Sequence, residues 1–284
     1  MREERTLQLE VFKGKEASVN SYLFYNDTSI IVMDVLRNSE EARELVNAIK
    51  VKNLPLTHIL VSHGHPDHYI GMEVLSREFP SAQIVVPSKE IKADIKNFSA
   101  YMESIGWLDG EPALKPKTEA NPNGFDYDQM IHVLPGHELT LLGGGTLEIR
   151  TDHPAAEAEH LSTIFSKDLN ALFTSDFTYN GVHLWLGPGV DNVHLNNWKS
   201  ELRKLKEQYG NLDITVYPGH GDQATPALFD TVLGYINDFE QTVENAETKE
   251  EVIEGMKARY PSWEQADFLL LYSADFQFSL KNER

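Results

Sequence analysis

The stretch His63-Gly64-His65-Pro66-Asp67-His68 follows directly on the apolar run His58-Ile59-Leu60-Val61. An apolar, β-branched run of this length, bounded by turn residues, predicts a buried strand. The end of a strand directs the following side chains in fixed directions. Three imidazoles and one carboxylate packed so closely are costly to bury unless they bind something. Because histidine and aspartate are common ligands of divalent metals, we interpret the stretch as a metal-binding loop.

Composition limits the class of protein to which the chain can belong. Its 284 residues are 41% hydrophobic and 24% charged, which is typical of a folded soluble protein with a substantial core. The sequence contains no cysteine, so disulfides, thiolate ligands and a cysteine nucleophile are excluded. Any metal must therefore be held by imidazole and carboxylate groups. The formal net charge of -19 disfavours nucleic-acid binding, and we expect a neutral or weakly polar small-molecule substrate.

The distribution of apolar residues bears on location. The chain has no apolar run of 18 residues, and Met1-Arg2-Glu3-Glu4-Arg5 leads into a strand-like alternation without the apolar region of a signal peptide. We therefore expect a cytoplasmic protein with no membrane association. A secreted protein that has lost its signal peptide would show the same pattern, and the oligomeric state is left open.

The first half of the chain alternates between strand-like and helix-like patterns. We predict strands at Leu7–Phe12, Ser21–Phe24, Ser29–Met33, Thr57–Val61 and Ala82–Val86, and helices at Ser39–Lys50, with Ser39 as the N-cap, and at Asp67–Phe79. In the segment from residue 88 to 130, a helix-like piece at Ile91–Ile105 is followed by turns rich in glycine and proline. We expect this insertion to lie outside the core and to form a lid over the metal site, the alternative being a surface excursion without a role.

The second half repeats the same order of elements. We predict strands at Ile131–Leu134, Glu138–Leu142, Thr146–Arg150, Leu161–Ser166, Ala171–Thr174 and Ile214–Tyr217, and helices at Leu195–Tyr209, Pro226–Glu244, Lys249–Tyr260 and Trp263–Leu271. Two similar halves imply an α/β fold in which two mixed sheets pack face to face between outer helices, an αββα sandwich. We expect one domain over residues 1–284, with helices from about residue 245 onward closing the structure.

Three further polar residues lie at the ends of predicted strands. His160 precedes the strand that begins at Leu161, Asp176 follows Ala171–Thr174, and His220 follows Ile214–Tyr217. With the histidine loop they supply five histidines and two aspartates. In these motifs the chain resembles the metallo-β-lactamase fold superfamily of metallohydrolases, from the first strands to about Asp222.

The resemblance implies two metal ions with distinct ligands. It assigns the first metal to His63, His65 and His160, the second to Asp67, His68 and His220, and the bridge between them to Asp176. Two metals about 3.5 Å apart can share a hydroxide and polarise a carbonyl or phosphoryl oxygen. These donors suit zinc best, and iron, manganese and cobalt remain open.

The chain departs from the sequence patterns of several branches of this superfamily, which narrows the activities that we expect of it. The name-giving lactamases lack the bridging carboxylate that Asp176 supplies, which disfavours antibiotic hydrolysis. Diiron flavoproteins carry an acidic residue where this chain has His65. Glyoxalase-II-like and lactonase-like members have a loop of the His-Thr-Pro-Gly-His type, whereas residues 152–160 form a longer, acidic loop with His153 as an alternative third ligand.

We expect a dinuclear, metal-dependent hydrolase in which a bridging hydroxide attacks the carbonyl of an ester, lactone or thioester. Asp67 or a water molecule would protonate the leaving group. By resemblance to the lactonases, Tyr179 would contact the substrate carbonyl, the alternative being a packing role. A phosphodiesterase or nuclease of the same fold, and a non-catalytic metal-binding or sensor protein, are the other classes that these residues allow.

Overall fold

The computed structural model describes residues 7–264 and 267–283. The chain divides into two compact units. Unit 1 comprises Met1–Lys15, Val19–Asp152 and Ser162–Ala171. Unit 2 comprises Glu16–Ser18, His153–Leu161 and Leu172–Arg284. Each unit therefore combines segments that are distant in sequence.

The main sheet of unit 1 has six strands in sequential order. The strands are β1 (Gln8–Lys13), β2 (Asn20–Tyr25), β3 (Ile30–Met33), β4 (Leu56–Leu60), β5 (Gln83–Val86) and β6 (Ile131–Val133). The first three pair antiparallel, and β3 to β6 pair parallel. Strand β3 is buried along its whole length, as its continuous run of apolar side chains predicts for an inner strand of the sheet.

The helices of unit 1 follow the strands that they cover. They are α1 (Ser39–Val51), α2 (Pro66–Tyr69), α3 (Met72–Glu78), α4 (Lys89–Ser104) and α5 (Tyr127–Met130). The N-cap of α1 is Asn38, whose side chain accepts a hydrogen bond from the Glu41 amide at 2.8 Å, so the prediction of Ser39 as the cap is wrong. The hydroxyl of Ser39 instead donates to Glu111.

The predicted helix over Asp67–Phe79 is two helices, because the chain breaks at Gly71. A Cβ atom at Gly71 would lie 2.0 Å from the carbonyl oxygen of Val35. Only glycine allows this approach, and the amide of Gly71 donates to the carbonyl of Leu36 at 3.3 Å. The break separates the short helix that follows the histidine loop from α3.

The segment from residue 88 to 130 contributes to the core of unit 1, and the expectation that it lies outside the core is wrong. Two 3-10 turns at Trp107–Asp109 and Pro112–Leu114 follow α4. Leu108 and Leu114 are buried in the same hydrophobic cluster as Ile59 of β4, together with Phe125 and Tyr127. These apolar side chains are single residues between prolines and glycines, so no helix or strand period signals their burial.

Three further strands of unit 1 form an antiparallel ladder. They are β7 (Glu138–Thr140), β8 (Thr146–Arg150) and β9 (Thr163–Ser166). Leu139 pairs with Leu147 and Ile149 pairs with Ile164, so each pair places its apolar side chains on the same face. Burial alternates along β7 and β8, as expected of strands with one exposed face.

Unit 2 combines short strands with long helices. Its elements are β10 (Ala171–Phe173, with Ala171 in unit 1), β11 (Tyr179–Asn180), α6 (Asn192–Tyr209), β12 (Thr215–Tyr217), β13 (His220–Gly221), α7 (Leu228–Asn245), α8 (Lys249–Arg259) and α9 (Asp267–Asn282). Strand β12 lies beside β10, and β11 pairs parallel with β13. Helix α7 contacts α6, α8 and α9. Residues 265–266 of the predicted helix Trp263–Leu271 lie outside the described residues, and α9 continues eleven residues beyond it.

The predicted α/β class, with mixed sheets flanked by helices, is confirmed. Unit 1 pairs strands in both directions within one sheet, and helices follow most of its parallel strands. Over residues 7–264 and 267–283, no helix combines the length and the apolar content that crossing a bilayer requires.

Candidate metal centre

The histidine loop follows β4 in unit 1, and two of its imidazole side chains are buried. His63 and His68 are fully buried, whereas His65 and Asp67 are partly exposed. The imidazole rings of His63 and His68 lie 4.3 Å apart between centroids, and those of His63 and His65 lie 5.0 Å apart. His63 and His65 offer nitrogen atoms within 4.8 Å of each other, as do Asp67 and His68 through a carboxylate oxygen and a nitrogen.

Asp34 orients two of these histidines. Its Oδ2 atom accepts hydrogen bonds from Ser62 Oγ at 2.7 Å and from His68 Nδ1 at 2.9 Å. Because the hydroxyl hydrogen of Ser62 goes to Asp34, Ser62 Oγ accepts from His63 Nδ1 at 3.0 Å. Asp34 therefore fixes the tautomer of both rings, directly for His68 and through Ser62 for His63. In each ring Nδ1 carries the hydrogen and Nε2 carries the lone pair. This arrangement is typical of carboxylate–histidine–metal triads.

Two local features shape the loop that contains these donors. Pro66 is the first residue of α2, where its missing amide hydrogen costs nothing. A Cβ atom at Gly64 would lie 2.6 Å from Cβ of Asp94 in α4, so the close approach of the loop to this helix requires glycine. The ring of His65 also contacts Phe98 of α4 edge-on, at 6.1 Å between centroids.

In unit 2, Asp176 is buried in a 3-10 turn, Ser175–Phe177, directly after β10. Ser175 has a φ angle of 48°, in the left-handed region that non-glycine residues rarely adopt. A Cβ atom at Gly219 would lie 1.8 Å from Oδ1 of Asp176, so Gly219 cannot carry a side chain. Backbone conformation and a close approach together determine where this carboxylate lies.

A strained turn orients His220. Its Nδ1 atom donates to the carbonyl oxygen of Ala17 at 2.8 Å, and the Gly221 amide donates to the carbonyl of Ser18 at 2.9 Å. Ala17 and Ser18 both have positive φ angles, 54° and 47°. Two consecutive left-handed residues other than glycine are rare. A carbonyl oxygen only accepts, so the Nδ1 atom of His220 carries a hydrogen and Nε2 is the remaining donor.

The distance between His220 and Asp176 fits a shared cation. Nε2 of His220 lies 3.3 Å from Oδ2 of Asp176. In the neutral imidazole, this contact would bring a nitrogen lone pair against a carboxylate oxygen, which a cation between them relieves. Two donors of one tetrahedral zinc ion stand about 3.3 Å apart when each bond is about 2.0 Å. The residues present therefore fit a divalent metal ion.

Tyr179 lies in contact with both of these residues. Its hydroxyl donates to Oδ2 of Asp176 at 2.7 Å, and its ring stacks on His220 at 4.5 Å between centroids. The hydroxyl also lies 3.3 Å from Oε1 of Glu157. The phenol is buried, and in this structure its hydrogen bonds go to carboxylates.

The loop from residue 151 to 162 contains the other candidates of unit 2. Glu157 is buried, with 2% of its surface exposed, and offers a carboxylate oxygen within 4.8 Å of one of Asp176. His160 is partly exposed and does not belong to this group of donors in the part of the chain that the structure describes.

The side chain of His153 is fully buried, and its Nδ1 contacts Oε1 of Glu201 at 2.9 Å. Burial acts to raise the pKa of Glu201, but hydrogen bonds from His153 and Lys204 outweigh it and lower that pKa. Glu201 therefore holds the ring of His153 beside α6, and the same ring packs on Phe177 of the 3-10 turn after β10.

Sequence reasoning missed two carboxylates, Asp34 and Glu157. Asp34 directly follows the apolar run Ile30–Met33, and a polar residue at the end of a buried strand is the same signal that singled out Asp176. Glu157 has no such signal. It lies in an irregular acidic loop, and only the fold shows that it is the acidic residue of this loop that is buried beside Asp176.

Comparisons with known proteins agree with this fold. A family model described as the metallo-beta-lactamase superfamily matches residues 14–220. A probable metallo-hydrolase from Streptococcus pyogenes is 26% identical over 233 residues, 78% of this chain and 87% of that protein. A hydroxyacylglutathione hydrolase from Vibrio campbellii is 25% identical over 183 residues, 58% of this chain and 66% of the relative.

Solved structures show the same fold at low sequence identity. A metallo-beta-lactamase family protein from Thermus thermophilus superposes with a TM-score of 0.66 at 15% identity, covering 98% of this chain and 94% of its own. An archaeal superfamily protein from Sulfolobus tokodaii gives a TM-score of 0.60 at 18% identity, covering 95% and 98%.

The fold, the donors and the relatives together define a metal-dependent hydrolase. Since the family model covers well over half of its residues, the chain belongs to the metallo-beta-lactamase superfamily.

Proposed function

We propose that this hydrolase binds two divalent metal ions, with zinc the best-suited ion, and cleaves a carboxylic ester, lactone or thioester. The observation that carries the proposal is the orientation of the buried histidines. Asp34 and the Ala17 carbonyl assign the Nδ1 protons of His63, His68 and His220, which leaves Nε2 of each ring as the ligand atom. A non-catalytic packing role would not require the same tautomer in all three rings.

The proposed ligands are those that the family resemblance implies. They are His63, His65, Asp67, His68, Asp176 and His220, and the loop that contains His160 supplies the third ligand of the first metal. Within unit 1, Oδ2 of Asp67 lies 3.8 Å from Nε2 of His68, and within unit 2 Oδ2 of Asp176 lies 3.3 Å from Nε2 of His220. Both pairs join a carboxylate to an imidazole at a separation that suits a common ion.

When bound, divalent ions of this kind polarise a carbonyl oxygen and lower the pKa of water. Asp67 is partly exposed at the start of α2, and we assign it the transfer of a proton to the leaving group. Tyr179 is our proposed hydrogen-bond donor to the substrate carbonyl. In that role its hydroxyl must turn from Asp176, to which it donates in this structure.

Two observations favour a carbonyl substrate over a phosphodiester. They are the net charge of the chain and the name of a similar protein. The formal net charge of -19 repels phosphate groups, which disfavours phosphodiesters. One similar protein is named a hydroxyacylglutathione hydrolase, a name that gives an acyl compound as its substrate. We therefore rank thioesters and lactones before phosphodiesters.

The segment from residue 88 to 130 is the proposed cover of the site. Although part of it is core, α4 packs directly against the histidine loop through Phe98 and through Asp94 beside Gly64. A segment so close to His65 can shape the space that a substrate enters. We assign it a role in substrate choice rather than in chemistry.

The test combines metal content with a substrate panel. The chain is purified without added metal, its ions are counted by elemental analysis, and lactone, thioester, β-lactam and phosphodiester substrates are compared before and after chelation. We expect about two ions per chain and chelator-sensitive cleavage of a lactone or thioester. Preferred cleavage of the phosphodiester would replace our substrate class, and bound metal without turnover on any substrate would favour the sensor alternative.

A further inference from the structure

The loop that should supply the third ligand of the first metal contains a buried carboxylate. By resemblance this ligand is a histidine, and the sequence offers His160 and His153. In the structure the most buried ionisable side chain of the loop between residues 154 and 160 is Glu157. Its carboxylate and that of Asp176 come within 4.8 Å, and the hydroxyl of Tyr179 lies within hydrogen-bond distance of both.

We propose that Glu157 takes the place of the third histidine, so that one metal ion is bound by the carboxylates of both Glu157 and Asp176. This inference rests on the proposed function, because it concerns a ligand of the same metals. It assigns His160 and His153 to positions outside the ligand set.

Electrostatics favours a cation beside these two residues. Glu157 and Asp176 are 2% and 1% exposed, so water screens their charges poorly. Two carboxylates at this separation repel each other when both are ionised. The hydroxyl of Tyr179 donates to Asp176 at 2.7 Å and lies farther, 3.3 Å, from Glu157, so its single hydrogen serves mainly one of the two carboxylates. A divalent cation between the two removes the repulsion and explains why both carboxylates are buried at one place.

Neither histidine of this region lies in the donor group of Glu157 and Asp176 among the described residues. The ring of His153 packs on Phe177 at 4.8 Å and its Nδ1 contacts Glu201. His160 is partly exposed and lies outside the donor group of Glu157 and Asp176 among the residues that the structure describes. Neither ring is therefore as well placed as Glu157 to join Asp176.

Exchange of an imidazole for a carboxylate changes which metal the site prefers. A carboxylate is a harder donor and adds one negative charge, which favours manganese or iron over zinc relative to an imidazole at the same place. The expected signature is a ratio of Mn²⁺ affinity to Zn²⁺ affinity that is higher in the wild type than in Glu157→His. This signature concerns affinity and is independent of turnover.

Metal binding by matched variants tests the assignment. Chelator-treated wild type, Glu157→Gln, Glu157→His and His160→Gln are titrated with Zn²⁺ and Mn²⁺ by calorimetry. Glu159→Gln is the matched control, since that carboxylate is exposed and contacts His194. We expect Glu157→Gln to lose one ion or to bind it at least tenfold more weakly, Glu157→His to recover zinc but not manganese binding, and the His160 and Glu159 variants to bind like the wild type.

Thermal unfolding gives a second readout that does not depend on the ligand count. Without metal, Glu157→Gln removes the repulsion with Asp176, so Tm should be unchanged or a few degrees higher than in the wild type. With saturating metal, the same variant should be less stable than the wild type, because it gains less from binding. A purely structural role of Glu157 would lower Tm under both conditions.

The outcomes separate this inference from the proposed function. Two ions in Glu157→Gln with wild-type affinity, together with the loss of one ion in His160→Gln, would overturn the assignment and restore the histidine ligand while the hydrolase proposal stands. A wild-type chain that binds no divalent metal would overturn both. Loss of one ion in Glu157→Gln alone, with reversal of the Tm order between the two conditions, supports the inference.

Discussion

The donors of unit 1 and those of unit 2 reach their positions in different ways. In unit 1 all four lie between residues 63 and 68, after a single strand. In unit 2, Glu157, Asp176 and His220 come from three separate segments, and His220 is oriented by a long-range contact. The first arrangement is a local consequence of a strand end. The second depends on a turn at Ala17 and Ser18 that is about two hundred residues from the histidine it holds.

This difference indicates which contacts each unit needs to hold its donors in place. The histidine loop is supported by Asp34, which directly follows a neighbouring strand. The donors of unit 2 depend on strained backbone, on Gly219 and on Tyr179, so the loss of one contact there should disturb the others. Substitutions of comparable chemistry in the two units should therefore differ in their effects.

The largest effect is expected for Asp176→Asn. The amide keeps the shape and can still accept a hydrogen bond from Tyr179, but it loses the charge that we assign to the bridge between metals. We expect reduced metal content and a loss of turnover of at least about a thousandfold, measured by elemental analysis and steady-state kinetics. Asp230→Asn, an exposed carboxylate on α7, is the control. Turnover within a few fold of wild type at unchanged metal content would remove Asp176 from this role.

The next largest effect is expected for Tyr179→Phe. If the hydroxyl stabilises the carbonyl oxygen in the transition state, kcat/KM for a lactone or ester should fall roughly ten- to several-hundredfold. Metal content should not change, because the phenol is not a proposed ligand. A loss that disappears at excess metal would show instead that Tyr179 only positions Asp176, to which it donates.

A smaller effect is expected for Asp34→Asn in unit 1. The carboxylate accepts from the Ser62 amide at Oδ1 and from Ser62 Oγ and His68 Nδ1 at Oδ2, whereas Asn places an NH2 group, which cannot accept, at one of these two positions. Loss of a residue that orients metal ligands weakens metal binding by about 10- to 100-fold. Calorimetric titration should show this loss, with kcat largely restored at saturating metal. Unchanged affinity would contradict the orienting role, and Asp27→Asn, on the exposed turn before β3, is the control.

The smallest effect concerns a histidine of unit 2 that is not a proposed ligand. His183 is buried against Tyr235, with Nδ1 2.8 Å from its hydroxyl, and burial lowers the pKa of His183 from 6.5 to about 4. The pKa of His183 is lower in the folded protein than in the unfolded chain. Its contribution to the free energy of unfolding is therefore fully present above about pH 6.5 and declines as the pH falls toward 4.

The comparison of wild type with His183→Asn isolates this contribution. Between pH 7.5 and pH 5, the wild type should lose about 2 kcal/mol more unfolding free energy than the variant. Urea unfolding of chelated protein at both pH values measures the difference. If the free energy of unfolding depends on pH equally in the two proteins, the pKa of His183 is not lowered in the folded state.

Much of the fold follows from local patterns. Strand β8 has the predicted bounds, and β3 and α6 differ from the predicted ones by a few residues at most, because alternation and helical spacing report directly on burial. The broken helix at Gly71 was not predictable, since the break depends on the carbonyl of Val35. The burial of Leu108 and Leu114 was missed because isolated apolar residues do not form the repeating spacing from which a buried helix or strand is predicted.

The sequence by itself determined the superfamily and the histidine loop, because one strand end brings His63, His65, Asp67 and His68 together without help from distant residues. Only the tertiary structure points to the third ligand that we propose for the first metal. Glu157 and His160 are three residues apart in an irregular loop, and nothing in their local sequence distinguishes them. The choice between them depends on burial beside Asp176, which is a property of contacts between loops and not of any one segment.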